Sequence, residues 1–291
     1  MANALLLWKE DNVTQTEEKK REIKRFWTNK PCGVIASNHP VNSHYFFEET
    51  RQKRFQVHTD LDRPFLRDAI GFAKYTGKRV LEIGCGIGVD GLEWKLAGNH
   101  YTGLDFNFPS VQITRGRLED AGCDGGYLNG DAENLPFPDE SFDIVYSFGV
   151  LHHTPGTQKA IDEVHRCLKP GGKAIIMLYY KWSAMVFGDI ILGRGIRQGH
   201  LWKVRSIGEL ISKYTEWDSQ TANSINPLTK VYSKREARAM FRRFQNVEME
   251  LHYLWRGHFG PLRRMLSLVP NSVQANLHRR LGWNLVIKAE K

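Results

Sequence analysis

The groups in this chain whose types and spacing could do chemistry are a glycine run, the acids around it, and a small set of histidines and tyrosines. The run lies in Arg79 to Asp90, Arg-Val-Leu-Glu-Ile-Gly-Cys-Gly-Ile-Gly-Val-Asp. Val80, Leu81 and Ile83 form a short apolar stretch, side chains nearly vanish at Gly84, Gly86 and Gly88, and Leu92, Trp94 and Leu96 then resume the apolar surface. A buried strand that turns through glycines into a helix presents bare backbone to a ligand, and the helix start offers unpaired N–H groups. That is the chemistry of a nucleotide-binding turn. Asp105, at the end of the next strand, can accept from both hydroxyls of a ribose. Asp131 can accept from an adenine amino group, while Ala132 leaves the ring a small apolar face. Neither acid has metal-ligand spacing, so no metal site is expected. For moving a proton the candidates are His152 and His153, directly after a strand, and His44 and Tyr45 in the leader.

Two cofactors compete for the turn. Read from Gly86, Gly-Ile-Gly-Val-Asp-Gly fits G-x-G-x-x-G with Asp105 about 20 residues on, as a dinucleotide site requires. Read from Glu82, the same letters give E-x-G-x-G-x-G. No Lys or Arg lies between Glu82 and Glu93, which suits a ligand without phosphate, although backbone N–H groups alone can hold one.

The elements that must position these groups alternate strand and helix from Lys78 onward, the mark of a parallel sheet covered on both faces. Strands are expected at Arg79–Ile83, His100–Leu104, Gly126–Asn129, Phe142–Phe148 and Lys173–Tyr180, and helices at Val89–Ala97, from Pro109 to Gly122, and at Thr157–Leu168. Asp105, Asp131 and the histidine pair then all fall at carboxyl ends of strands, where ligands of open α/β sheets sit. Ahead of the sheet, residues 14–27 read as a helix opened by a Thr14/Glu17 capping box. Residues 60–75 read as another, with Pro64 in its first turn.

Length and composition bound the class. At 291 residues the chain can bury a full core. Its four cysteines are scattered, against a disulfide framework or zinc cluster and for a reducing, cytoplasmic setting. The apolar start at Ala4 to Trp8 is too short for a signal peptide, and Lys181 and Asp189 interrupt the longest apolar stretch, so no transmembrane segment is expected. The net charge of +9 is concentrated late, with nine Lys/Arg against three Glu between Lys230 and Arg264. No aromatic-interleaved binding pattern accompanies it, so a solvated face is favoured over a nucleic-acid partner.

Leu81 to Gly88, Gly103-Leu104-Asp105, Gly130 to Pro138, Ser141-Phe142-Asp143 and Leu168-Lys169-Pro170-Gly171-Gly172 occur in one order and spacing. Together they resemble the class I S-adenosylmethionine-dependent methyltransferases, in their small-molecule branch, and against that register the dinucleotide reading falls away. The resemblance is strong from Lys78 to Tyr180 and recurs near Tyr232–Glu236 and Asn284–Ile287. It implies a Rossmann-like α/β fold: a seven-stranded, mostly parallel sheet with helices on both faces and the last strand antiparallel. Residues 1–77 would form a helical lid. Residues 78–291 would form the methyltransferase domain, with the cofactor half at 78–180, an insert at 181–230 and the C-terminal helix and strands at 231–291. It further implies S-adenosylmethionine as cofactor, held by Glu82, Gly84, Cys85, Gly86, Gly88, Asp105, Phe106, Asp131 and Ala132, with Phe148 and Gly149 beneath the sulfonium.

The expected reaction is methyl transfer to a small-molecule acceptor, oxygen ahead of nitrogen or carbon, driven by proximity with or without a His or Tyr base. In the insert, Trp182, Met185, Val186 and Ile190 share a helical face, as ordinary core or as a cover for an apolar acceptor whose acidic group the basic stretch, including Arg242 and Arg243, would receive. The alternatives are an RNA or protein methyltransferase and a non-catalytic S-adenosylmethionine-binding module.

Overall fold

The structure, a computed structural model, describes residues 2–29, 31–61, 63–215 and 225–291. Its centre is a seven-stranded sheet of β3 (Arg79–Ile83), β4 (His100–Asp105), β5 (Gly126–Asn129), β6 (Phe142–Phe148), β7 (Leu168–Tyr179), β8 (Gln245–His252) and β9 (Asn284–Glu290), in the order β5-β4-β3-β6-β7-β9-β8. β9, the last strand of the chain, runs antiparallel to both neighbours, and the other described pairings of this sheet are parallel. Side chains alternate between faces along each strand. Leu81, Ile83, Val145 and Ile176 pack on one face with Ala160, Ile161 and Val164 of α6 (Thr157–Cys167) and with Ala237 of α8 (Lys234–Met240). Val80, Ile144, Tyr146 and Ile175 pack on the other with α4 (Val89–Leu96), α5 (Phe108–Asp120) and the leader helix α2 (His44–Val57). Strand order is reversed between β3 and β6, which opens the ligand crevice at their carboxyl ends.

The leader departs from expectation in two places. Helix α1 runs Ala2–Asn29, so Thr14 lies inside a continuous helix rather than at its start. No single helix spans residues 60–75. Instead a two-residue hairpin, β1 (Thr59–Asp60) with β2 (Arg63–Pro64), turns through Leu61 at φ 48°, followed by the short α3 (Leu66–Ile70). Proline removes an N–H and pushes Arg63 before it into extended backbone, and Gly71 ends α3 in a left-handed cap. The Lys169–Gly172 segment, between the expected helix and strand, is a bulge within β7, where pairing with β6 slips between Phe142 and Ile144.

The insert forms a wide-turn helix at Met185–Arg197 and α7 (Ile207–Thr215). Val186, Ile190, Leu210 and Ile211 join Tyr214 and Trp283 in a small third core, whereas Trp182 is half exposed and stacks on Phe187. Helix α9 (Asn271–Leu281) leads into β9. No described helix is long and apolar enough to cross a membrane.

Candidate active site

Gly84, Gly86 and Gly88 adopt φ of 78°, 55° and 75°, values that L side chains rarely reach, and so carry the chain sharply from β3 into α4. Backbone N–H groups of Gly84 and Cys85 donate to the Leu104 carbonyl at 2.7 and 3.1 Å, fastening the turn to β4. A Cβ on Gly84 would lie 2.2 Å from Val150 Cγ2, whereas one on Gly86 would meet no protein atom within 4 Å. Space is therefore closed beneath the turn and open above Gly86. Asp105 borders that space. Its Oδ2 accepts from Gly86 N at 2.9 Å and its Oδ1 from Asn107 N at 3.0 Å and Nδ2 at 2.7 Å. Burial pushes its pKa up to about 6, the backbone donors only partly opposing this.

Below the turn lies a buried polar layer. Glu82 accepts from Tyr101 Oη at 2.6 Å, and burial together with Asp90 raises its pKa well above the usual carboxylate range. Asp90 is clamped by Arg54 of α2 at 2.6 and 3.1 Å and by Tyr146 Oη at 2.7 Å. The Cys85 thiol faces Thr114 at 3.4 Å inside the protein, so only its backbone reaches the crevice. Ala132 is core, packed with Leu104 and Leu135.

Helix α1 covers the crevice. Lys20 Nζ lies 2.7 Å from Asp131 Oδ2 and 2.9 Å from Glu133 Oε2, Lys24 stands over the Phe106 ring at 5.3 Å, and Trp27 meets the His153 ring edge-on at 5.4 Å. Positions 20, 24 and 27 share one helical face. Burial pulls the Lys20 pKa down, but the two carboxylates outweigh it and the net shift is upward. This helix was readable in the sequence as apolar-edged. That its Lys20 lands on the expected adenine carboxylate was not.

Phe148, expected beneath the sulfonium, has the Arg54 guanidinium over its ring at 4.9 Å and His58 edge-on at 5.9 Å. Burial and the neighbouring Arg54 drop the His58 pKa to about 3, so it stays neutral. Gly149 follows at φ 83°, where an added Cβ would lie 3.6 Å from Met177 Cε. His152 is fully buried, its ring 3.8 Å from Tyr179, and burial with the adjacent His153 holds its pKa well below the ordinary value. His153 Nδ1 lies 2.8 Å from the Leu228 carbonyl and 3.2 Å from Asn226 Nδ2. Thr229 Oγ1 stands 3.4 Å from the same nitrogen, and the His153 ring, like that of His152, is buried. Lys230 N donates to the His152 carbonyl at 3.0 Å, so the end of the insert braces this loop.

His44 and Tyr45 are not brought here. His44 pairs with Asp120 at 2.9 Å, at the far end of α5, a helix about 20 Å long that starts at the crevice. Tyr45 is 70% exposed beside it. Arg242 and Arg243 also lie outside, on the surface, with Arg243 facing Asp162 on α6 at 4.0 Å.

Residues 81–176 match the family described as Methyltransferase domain. This chain carries a class I S-adenosylmethionine-dependent methyltransferase domain. It is 43% identical over 99 residues to phthiotriol/phenolphthiotriol dimycocerosates methyltransferase 1 of Mycobacterium ulcerans, covering 33% of this chain and 36% of that one. It is 41% identical over 102 residues to a fatty-acid O-methyltransferase of Mycolicibacterium smegmatis, covering 34% and 36%. The match thus spans little more than a third of these curated relatives. In fold the chain is similar to an S-adenosylmethionine-dependent methyltransferase of Methanosarcina mazei, with a TM-score of 0.51 and 18% identity over 78% of this chain and 97% of that one.

Family and fold imply S-adenosylmethionine as the cofactor of the methyltransferase domain. The residues fit a ligand with ribose and adenine but no phosphate. No basic side chain stands in the glycine turn, Asp105 is a buried acceptor at its rim, and the space above Gly86 is clear of protein.

Proposed function

We propose that this protein methylates an oxygen on a small, lipid-like acceptor. Bound in the crevice, S-adenosylmethionine supplies an electrophilic methyl group on a good leaving group. Asp105 would hold the ribose diol, Asp131 and Phe106 the adenine, and the Gly84–Gly88 turn the remainder. Catalysis then rests on holding the acceptor at attacking distance and on excluding water, which α1 does by covering the crevice.

The observation that carries the oxygen reading is the setting of His153. Its Nδ1 is tied to the Leu228 carbonyl at 2.8 Å, and its ring lies among Trp27 and Tyr179. His153 is buried, 4% exposed, and in this reading a hydroxyl acceptor would enter beside Trp27 and Tyr179 to give up its proton to this imidazole. His152, buried and held neutral, is a packing partner in this reading. The lipid-like acceptor draws on the two relatives named above and on the apolar cleft of about 830 Å³ bounded by Ile211, Leu228, Val231, Tyr232 and Met240, which adjoins the segment holding His153.

The test supplies methyl-labelled S-adenosylmethionine with hydroxylated lipids, free fatty acids, RNA or protein, and resolves products by mass. Label on a lipid oxygen is expected. Label in RNase-sensitive or protein material, or S-adenosylhomocysteine binding without transfer to any of the four, would overturn the proposal.

A further inference from the structure

Outside the crevice, the fold gathers three metal-type donors from far apart in the chain: Asp60 of β1, His252 at the end of β8 and His278 of α9. No spacing in the sequence relates them. Their donor atoms all lie within 4.8 Å of one another. His252 Nδ1 is 2.8 Å and His278 Nε2 is 3.9 Å from the same oxygen, Asp60 Oδ2. We infer that Asp60, His252 and His278 form a site for one divalent metal ion of the zinc class.

The donor set suits that ion. Zinc takes imidazole nitrogen and carboxylate oxygen at about 2.0–2.2 Å, so a tetrahedral set places its donors roughly 3.4 Å apart. The observed 2.8 and 3.9 Å bracket this value, and turning the His278 ring out of its stack on His252 would aim its Nε2 at the same ion. Two imidazoles favour a transition metal over magnesium or calcium, which prefer all-oxygen cages.

The donors are also held in place. The His252 ring is stacked between Phe65, at 4.8 Å and 7°, and His278, at 5.6 Å and 14°. Asp60 Oδ1 accepts from Leu254 N at 3.3 Å, which turns Oδ2 toward the histidines. Asp60 is only 8% exposed in its side chain, and the histidines 16% and 19%. The group opens on a cleft of about 300 Å³ with Asp68 and Glu250 on its rim, leaving room for a water as fourth ligand. Arg63 also borders this cleft, and Lys288 pairs with Glu250 at 3.6 Å, so the surroundings are mixed in charge.

The ion would act as a latch. Asp60 belongs to the leader, and His252 and His278 to the far edge of the methyltransferase sheet. Next to His252, Tyr253 stacks on His58 at 5.2 Å, and His58 abuts Phe148 at 5.9 Å. A metal here would fasten the leader to the wall of the crevice without touching the reacting groups. The inference is independent of the acceptor proposed above.

The experiment strips the full chain with a chelator and titrates it with Co²⁺, reading visible d–d absorption, and with Zn²⁺, reading the melting temperature. One equivalent of Co²⁺ should give bands that Zn²⁺ displaces, and Zn²⁺ should raise the melting temperature. His278→Ala and Asp60→Asn should each weaken Co²⁺ binding by at least tenfold, since even outer partners of such sites are worth that much. S-adenosylhomocysteine binding, measured in parallel, shows that each variant is folded. Equal Co²⁺ binding by the wild type and a folded His278→Ala variant would overturn the inference. So would a wild type with no d–d bands and no shift with Zn²⁺, which would leave His252 and Asp60 as an ion pair alone.

Discussion

Lowering the pH from about 7.5 to about 5 should weaken S-adenosylhomocysteine binding roughly tenfold, and Asp105→Asn should remove that dependence. Asp105 titrates at about 6 because burial disfavours its charge. Ribose hydroxyls donate best to the ionised carboxylate, so binding should draw the proton off and affinity should follow the ionised fraction. That fraction is nearly complete at about pH 7.5 and about one in eleven at about pH 5, a difference near 1.4 kcal/mol. Stability moves the opposite way in the ligand-free protein. The folded pKa lies about two units above the ordinary value near 3.9, so stability falls by about 3 kcal/mol as pH rises from about 4 through about 6. Ligand should offset part of this loss, making its thermal stabilisation larger at neutral than at acid pH. Calorimetric titration of wild type and variant at several pH values measures the effect. The asparagine variant should bind weakly and evenly, meeting the wild type near pH 5. A wild-type affinity as flat as that of the variant would refute the argument, because the carboxylate would then not be the ligand's acceptor.

Gly84→Ala should cost about 2–4 kcal/mol, since its Cβ would strike Val150 at a backbone angle alanine resists. Gly86→Ala should cost about 1 kcal/mol and yet lose cofactor binding, because its Cβ would enter the open crevice; melting temperature and calorimetry separate the two. Lys20→Ala removes the charge that ties α1 to Asp131 and Glu133, so S-adenosylhomocysteine should dissociate on the order of tenfold faster in stopped-flow fluorescence; an unchanged rate would mean that α1 does not gate the crevice. His153→Gln should lower kcat for a hydroxyl acceptor by about 10²-fold or more, while a carboxylate acceptor, which has no proton to lose, should be nearly unaffected. Comparable losses on both acceptors would assign His153 to packing.

The sequence by itself determined the strand–turn–helix at Arg79–Leu96, the alternation behind it and the acid at the end of β4. Each is local: two-residue alternation chooses the buried faces of a strand, and left-handed turns select glycine at 84, 86 and 88. The hairpin at 59–64 was legible in principle from Pro64, but a helical reading of the flanking apolar residues hid it. Only the tertiary structure decided what crosses the crevice. Lys20 reaches Asp131 over 111 positions, and Asp60 meets His252 over 192. It likewise carried His44 to the far end of α5 and packed His152 out of reach of solvent. Spacing along the chain cannot encode such contacts, because they depend on which helix face is buried and on how two packed layers are set against each other.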